Sequence, residues 1–160
     1  MSLEKFESEV RPLRVSQTQA YYMLSDLNHL AVLRAKLTDP LAQEKMAEQV
    51  PADKLEQLRT YLDQTEFTAD TVSVASPIGN VTLRVSEREE PKLIKLVSEG
   101  SPLPLTLWIQ IVPSEPLGSR LRVTVGAEVN FFMKGMVAKP MQKAADGLAV
   151  AFAAVAEMTL

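Results

Sequence analysis

The amino-acid sequence predicts an α+β fold in which a curved antiparallel sheet of about six strands wraps around a long C-terminal helix. Three observations carry this prediction. Residues 68–132 hold five β-rich segments separated by short turns. One face of those segments is almost wholly aliphatic and must be covered. Residues 133–159 supply an apolar stripe at helical period, which is a cover of the right kind. With 160 residues the chain is expected to form one domain, residues 1–160.

The elements follow in order. Residues 4–15 alternate, with Phe6, Ser8 and Val10 on one side and Lys5, Glu7, Glu9 and Arg11 on the other, the pattern of a half-buried strand. Ser16 reads as an N-cap, and Ala20, Met23, Leu24, Leu27, Leu30, Ala31 and Leu37 then recur at helical spacing. Ser25, Asp26 and Asn28 divide this stretch into two short helices, with Asp26 or Asn28 capping the second. Asp39-Pro40 opens a short polar helix and Pro51 another, with Leu55, Leu58 and Leu62 on its apolar face. Residues 39–63 therefore read as a helical insertion between the first and second strands.

The strands at 68–75, 80–86, 92–99, 103–112 and 120–132 are joined by turns at 76–80, 87–91, 100–102 and 113–119. Connections this short favour antiparallel hairpins. In the last strand Leu121, Val123, Val125, Ala127, Val129 and Phe131 share one face. Leu105, Leu107, Ile109 and Ile111 match them in the strand before. Val81, Leu83 and Val85 supply the same face earlier, with Ile94 and Leu96. Val137, Met141, Ala144, Leu148, Phe152 and Val155 form the covering stripe, and Pro140 implies a kink or a helix that starts at 139–140.

Composition excludes several classes of function. The net charge is −3 and the basic residues are scattered among acids, so no concentrated face for nucleic acid or anionic lipid is expected. No cysteine is present, which removes disulfides, thiol catalysis and thiolate metal sites. His29 is the single histidine, and no cofactor or metal is expected around it; it reads as a capping or partly exposed side chain at the helix junction. There is no G-x-S-x-G elbow and no Gly-rich phosphate loop. The N-terminus lacks an apolar signal region and no apolar run is long enough to span a bilayer, so a cytoplasmic protein without membrane insertion is expected.

One strand, several short helices, five strands and a long helix is the layout of the helix-grip fold. The run SPIGNVTLRVSEREEPKLIKLVSEGSPLPLTLWIQIVP and the closing VTVGAEVNFFMKGMVAKPMQKAADGLA resemble the SRPBCC superfamily, which includes START-like and polyketide cyclase/dehydrase-like proteins. The resemblance implies a cavity between sheet and C-terminal helix that holds a hydrophobic small molecule or lipid. Its implied lining is Leu83, Ile94, Leu96, Ser98, Leu107, Ile109, Val123, Val125, Met136, Met141 and Leu148, with Tyr21 and Tyr22 as nearby polar candidates. A filled core explains the same apolar faces. The small residues of the last helix and the cluster Met133, Met136 and Met141 favour a void. Two other readings stand beside ligand binding. One is a cyclase- or hydratase-like enzyme, which needs an inward acid or base. The other is an interaction module or homodimer that uses the outer sheet face at Trp108, beside Thr106, Gln110, Arg122 and Thr124.

Overall fold

The computed structural model describes residues 2–41, 65–76, 79–100, 104–114 and 118–158, together with positions 44, 53, 56, 59, 60 and 63. Its strands are β1 (Ser2–Glu7), β2 (Arg11–Leu13), β3 (Thr65–Phe67), β4 (Thr71–Ser76), β5 (Gly79–Glu89), β6 (Leu93–Glu99), β7 (Leu105–Ser114) and β8 (Gly118–Val129). Helices α1 (Gln17–Leu24) and α2 (His29–Lys36) lie between β2 and β3, and α3 (Phe131–Ala156) closes the chain. The helical insertion expected at 39–63 falls, apart from isolated positions, outside the described residues.

All eight strands form one antiparallel sheet in the order β1-β8-β7-β6-β5-β4-β3, and β2 pairs with β8 beyond the end of β1. Eight strands among the described residues replace the expected six, because the first predicted segment is divided and β3 lies ahead of the strand predicted from residue 68. The first breaks after Glu7. Ser8 donates its N–H to the Val123 carbonyl at 2.8 Å, and its Oγ accepts from Val123 N–H at 3.0 Å. A side chain thus takes over a ladder position, and Val10 turns out to solvent. Strands β3 and β4 flank a tight turn held by the Thr68 hydroxyl, which accepts from Thr71 N–H at 3.0 Å.

Two boundaries near the sheet also shift. Strand β5 runs to Glu89, past a bulge at Ser86, so the predicted turn at 87–91 contracts to its last residues. Strand β8 stops at Val129 because the Asn130 side chain accepts from Met133 N–H at 2.9 Å and caps α3. Phe131 therefore leaves the apolar strand face and stands 87% exposed on the first turn of the helix. The helix continues through Pro140 rather than starting there.

A row of polar ties aligns α3 along the sheet edge. The Lys134 ammonium lies 3.4 Å from Glu4, and Gln142 Nε2 donates to the Glu7 carbonyl at 2.8 Å. Asp146 accepts from Glu9 N–H at 3.1 Å, and Arg14 pairs with Glu157 at 3.4 Å. Exposed ties of this kind contribute about 0–1 kcal/mol each. Their effect is to fix direction, while burial holds the helix in place. Phe152, Val155 and Ala156 are fully enclosed, with α1 and α2 packed against the helix. Ala145, Ala149 and Ala151 are buried as well. In this half of α3 the small residues permit close approach of neighbouring elements rather than opening a void. Ala145 also takes the inward place expected of Ala144, which is only half-buried.

Candidate functional site

The alternation of β6, β7 and β8 sets the inner wall. Ile94, Ile109 and Val123 stand side by side across the three strands, and Leu96, Leu107 and Val125 form the next row. Leu83 on β5 pairs with Ser98 on β6, at the end of the sheet where β7 begins with Leu105. This end also carries the junction from β8 into α3.

The two ends of the wall differ in packing. Ile94, Leu96, Ile109, Leu121, Val123 and Phe152 are all at 0% exposure. Toward the β8–α3 junction Leu83, Leu105, Val125, Val137 and Met141 retain between 7% and 9%, and Leu148, farther along α3, retains 7%. All six are apolar, and the sheet residues among them sit at inward positions. The sheet residues that keep this residual exposure lie toward the β8–α3 end of the wall, among fully enclosed neighbours such as Val81, Ala127 and Val129.

Two expected lining residues lie elsewhere. Met136 is 78% exposed, because the inward row of α3 passes through Val137, Met141 and Leu148 and position 136 is turned about 100° from 137. Tyr22 is 68% exposed, while its neighbour Tyr21 is buried. Burial pushes the Tyr21 phenol above its ordinary value of 10.0, Glu90 adds to the rise, and Arg88 opposes it. Ser98 is half-buried at the accessible end, where its Oγ accepts from Leu105 N–H at 2.9 Å and ties β6 to β7. His29 Nδ1 contacts the Met23 carbonyl at the junction of α1 and α2, away from any chemical cluster. Among the described residues no group of three His, Cys, Asp or Glu side chains is placed to hold a metal.

The outer face is organised around Trp108. Its ring lies over Gly126, where an added Cβ would come within 2.8 Å of Cζ3, and Lys5 Nζ sits 5.2 Å from the ring centroid. Arg122 does not stack on the tryptophan. Its Nε donates to Gln110 Oε1 at 2.9 Å and its second nitrogen meets Glu7 at 3.2 Å.

Sequence reasoning missed a second concavity. An open groove of about 560 Å³ is lined by Val10, Gln17, Lys92 and Leu93, by β7 residues 110–113, and by Arg120, Leu121 and Arg122. None of the expected lining residues belongs to it. The signal was distributed over the turns before β2 and β6 and over strand residues of β7 and β8, whose spatial meeting no sequence spacing reveals. Among the described residues no helix is long and apolar enough to cross a membrane.

An antiparallel sheet gripping a long C-terminal helix, with helices inserted after the first strands, defines the helix-grip class of α+β folds. The fold is shared with solved structures of START and related proteins. Truncated norcoclaurine synthase from Thalictrum flavum superposes with a TM-score of 0.67 at 10% identity, covering 99% of this chain and 96% of that chain. A START superfamily protein from Mycobacterium smegmatis gives 0.57 at 14% identity, covering 97% of each chain. The Thalictrum synthase is also known in complex with dopamine and hydroxybenzaldehyde; that structure gives 0.59 at 10% identity over 95% of this chain and 85% of its own. No family model matches the sequence, and no curated protein matches it.

Proposed function

We propose that the chain is a single helix-grip domain that binds a hydrophobic small molecule or lipid between its sheet and α3. The observation that carries this reading is the difference between the two ends of the inner wall. Leu83, Leu105 and Val125 at the β8–α3 end keep 7% to 9% exposure beside Val81, Ala127 and Val129 at 0% to 1%, while Ile94, Ile109, Leu121 and Val123 toward the other end keep none. A sheet whose packing loosens at one end only is suited to an apolar ligand. Leu83, Val125, Met141 and Leu148 would contact its body, with Leu105 and Val137 beside them. The Ser98 oxygen already accepts from Leu105, so its own hydrogen is left to offer a ligand carbonyl or head-group oxygen.

Binding is favoured over catalysis by the chemistry of the interior. The buried side chains with polar groups among the described residues are the hydroxyls of Ser8, Thr65, Thr71, Ser119 and Thr124 and the phenol of Tyr21. Among the described residues neither a carboxylate nor an imidazole is buried, which leaves the Tyr21 phenol as the buried candidate for the acid or base that a cyclase- or hydratase-like step needs. The partner surface expected at Trp108 is disfavoured because Lys5 already stands over the ring.

Native mass spectrometry of freshly purified protein tests the proposal, together with Leu148→Phe. The wild-type protein is expected to carry a small-molecule adduct that denaturation releases. Leu148→Phe is expected to lose the adduct and to melt within a few degrees of wild type, since extra volume enters space that is already present. In a filled core the same substitution costs about 1–3 kcal/mol. A wild-type protein with no adduct, combined with a strongly destabilised variant, would refute the reading.

A further inference from the structure

We propose that the open groove between the turn before β2 and the ends of β7 and β8 is a separate site for an amphipathic carboxylate. The evidence is the segregation of charge and apolar surface within it. Lys92, Arg120 and Arg122 all line the groove, and its lining contains no acid, although the chain as a whole carries −3. Glu7 approaches from the rim and pairs with Arg122 at 3.2 Å, which leaves two cations without an acid in the lining. An excess of this size suits a single carboxylate better than a polyanion.

The cations are arranged for recognition. Arg122 is held by the Gln110 side chain at 2.9 Å, and Arg120 Nε donates to Ser114 Oγ at 3.3 Å. Each of these bonds engages the Nε side of a guanidinium and orients the remaining N–H groups, a geometry that carboxylates accept well. Beside the charges lies an apolar strip of Val10, Leu93, Val112 and Pro113. Val10 and Val112 are both 53% exposed, so apolar surface faces water next to the basic residues. A volume near 560 Å³ falls within the range of about 300–1,000 Å³ usual for small-ligand sites. A head group on the cations and a short hydrocarbon body on the strip satisfy both halves.

The groove shares no residue with the interior lining proposed above, and the experiment separates the two. Methyl-labelled protein is titrated with sodium octanoate, with octylammonium chloride as the control of equal chain length and opposite charge. Octanoate is expected to shift the methyl signals of Val10, Leu93 and Val112 saturably, and octylammonium is expected to leave them in place. Lys92→Gln combined with Arg120→Gln is expected to weaken octanoate binding about tenfold or more, because charge-assisted hydrogen bonds are lost. Both side chains are exposed, so an unchanged melting temperature is expected to confirm that the double variant is folded. Equal shifts with octylammonium, or undiminished affinity in the double variant, would overturn the proposal. Shifts confined to Leu107 and Leu148 would also overturn it while supporting an interior ligand.

Discussion

Replacing Leu107 by aspartate is expected to remove most of the stability of the fold at neutral pH and to return much of it in acid. Leu107 is 2% exposed and stands between Leu96 and Val125 on the inner wall. The nearby cations Lys95 and Arg122 belong to the alternate, outward positions of their strands. The lost apolar burial costs about 2 kcal/mol. Keeping the new carboxyl neutral at pH 7, when its ordinary pKa is about 3.9, costs about 4 kcal/mol more. Leaving the neutral group without a partner adds about 1–3 kcal/mol. The sum of about 7–9 kcal/mol is comparable with the whole stability of a domain, about 5–15 kcal/mol.

The middle contribution depends on pH, and its sign is fixed. Burial raises the folded-state pKa, so the unfolded chain releases the proton first and the variant loses stability as pH rises above about 3.9. Urea unfolding of wild type and variant at pH 7 and pH 4 should show the difference between them shrinking by roughly 4 kcal/mol in acid. Gln110→Asp supplies the control, since Gln110 faces outward and bonds to Arg122. Its effect is expected to stay below about 1 kcal/mol and to favour the fold only above the carboxylate pKa, the opposite dependence. Equal losses at 107 and 110, or a Leu107→Asp deficit that acid does not reduce, would refute the assignment of inner and outer faces.

Two further outcomes are expected. Gly118→Ala should destabilise more than Gly126→Ala in urea unfolding, because its Cβ would lie 2.5 Å from the Leu13 backbone oxygen, whereas at Gly126 the tip of the Trp108 side chain can move aside. Gly126→Ala should instead displace the ring from Lys5 and change tryptophan emission; unchanged emission would contradict the packing of Trp108 over the glycine. For Tyr21 the neutral phenol is favoured by burial, so its contribution is complete below pH 10.0 and is lost as pH rises through the raised folded value. Tyr21→Phe should therefore flatten the alkaline decline in stability, and an identical decline in both proteins would count against a buried Tyr21.

The inner and outer faces of β7 and β8 were legible in the sequence because strand side chains alternate and one set was aliphatic. Local capping chemistry was legible in part. Ser16 stands out as an N-cap and does accept from Gln19 N–H at 3.2 Å. Asn130, which decides where β8 ends and α3 begins, lies within a hydrophobic run that strand periodicity alone extends to Phe132. The expectation for Met136 failed for a related reason: an apolar residue next to an apolar stripe does not state which side of the helix it occupies. The alanines of α3 were equally ambiguous, since a small side chain is compatible with a void or with a close neighbour.

What the sequence by itself determined was the class of fold, the apolar character of the inner wall and the lack of thiol chemistry. Only the tertiary structure decided where the wall is sealed and where it stays accessible, because packing density depends on which helix turn meets which strand row. It alone also brought Lys92, from the turn before β6, together with Arg120 and Arg122 of β8. Periodicity reports the neighbours of a residue along its own strand or helix. A groove formed by several separate chain segments depends on distances through space, and those are fixed only when the sheet closes around its helix.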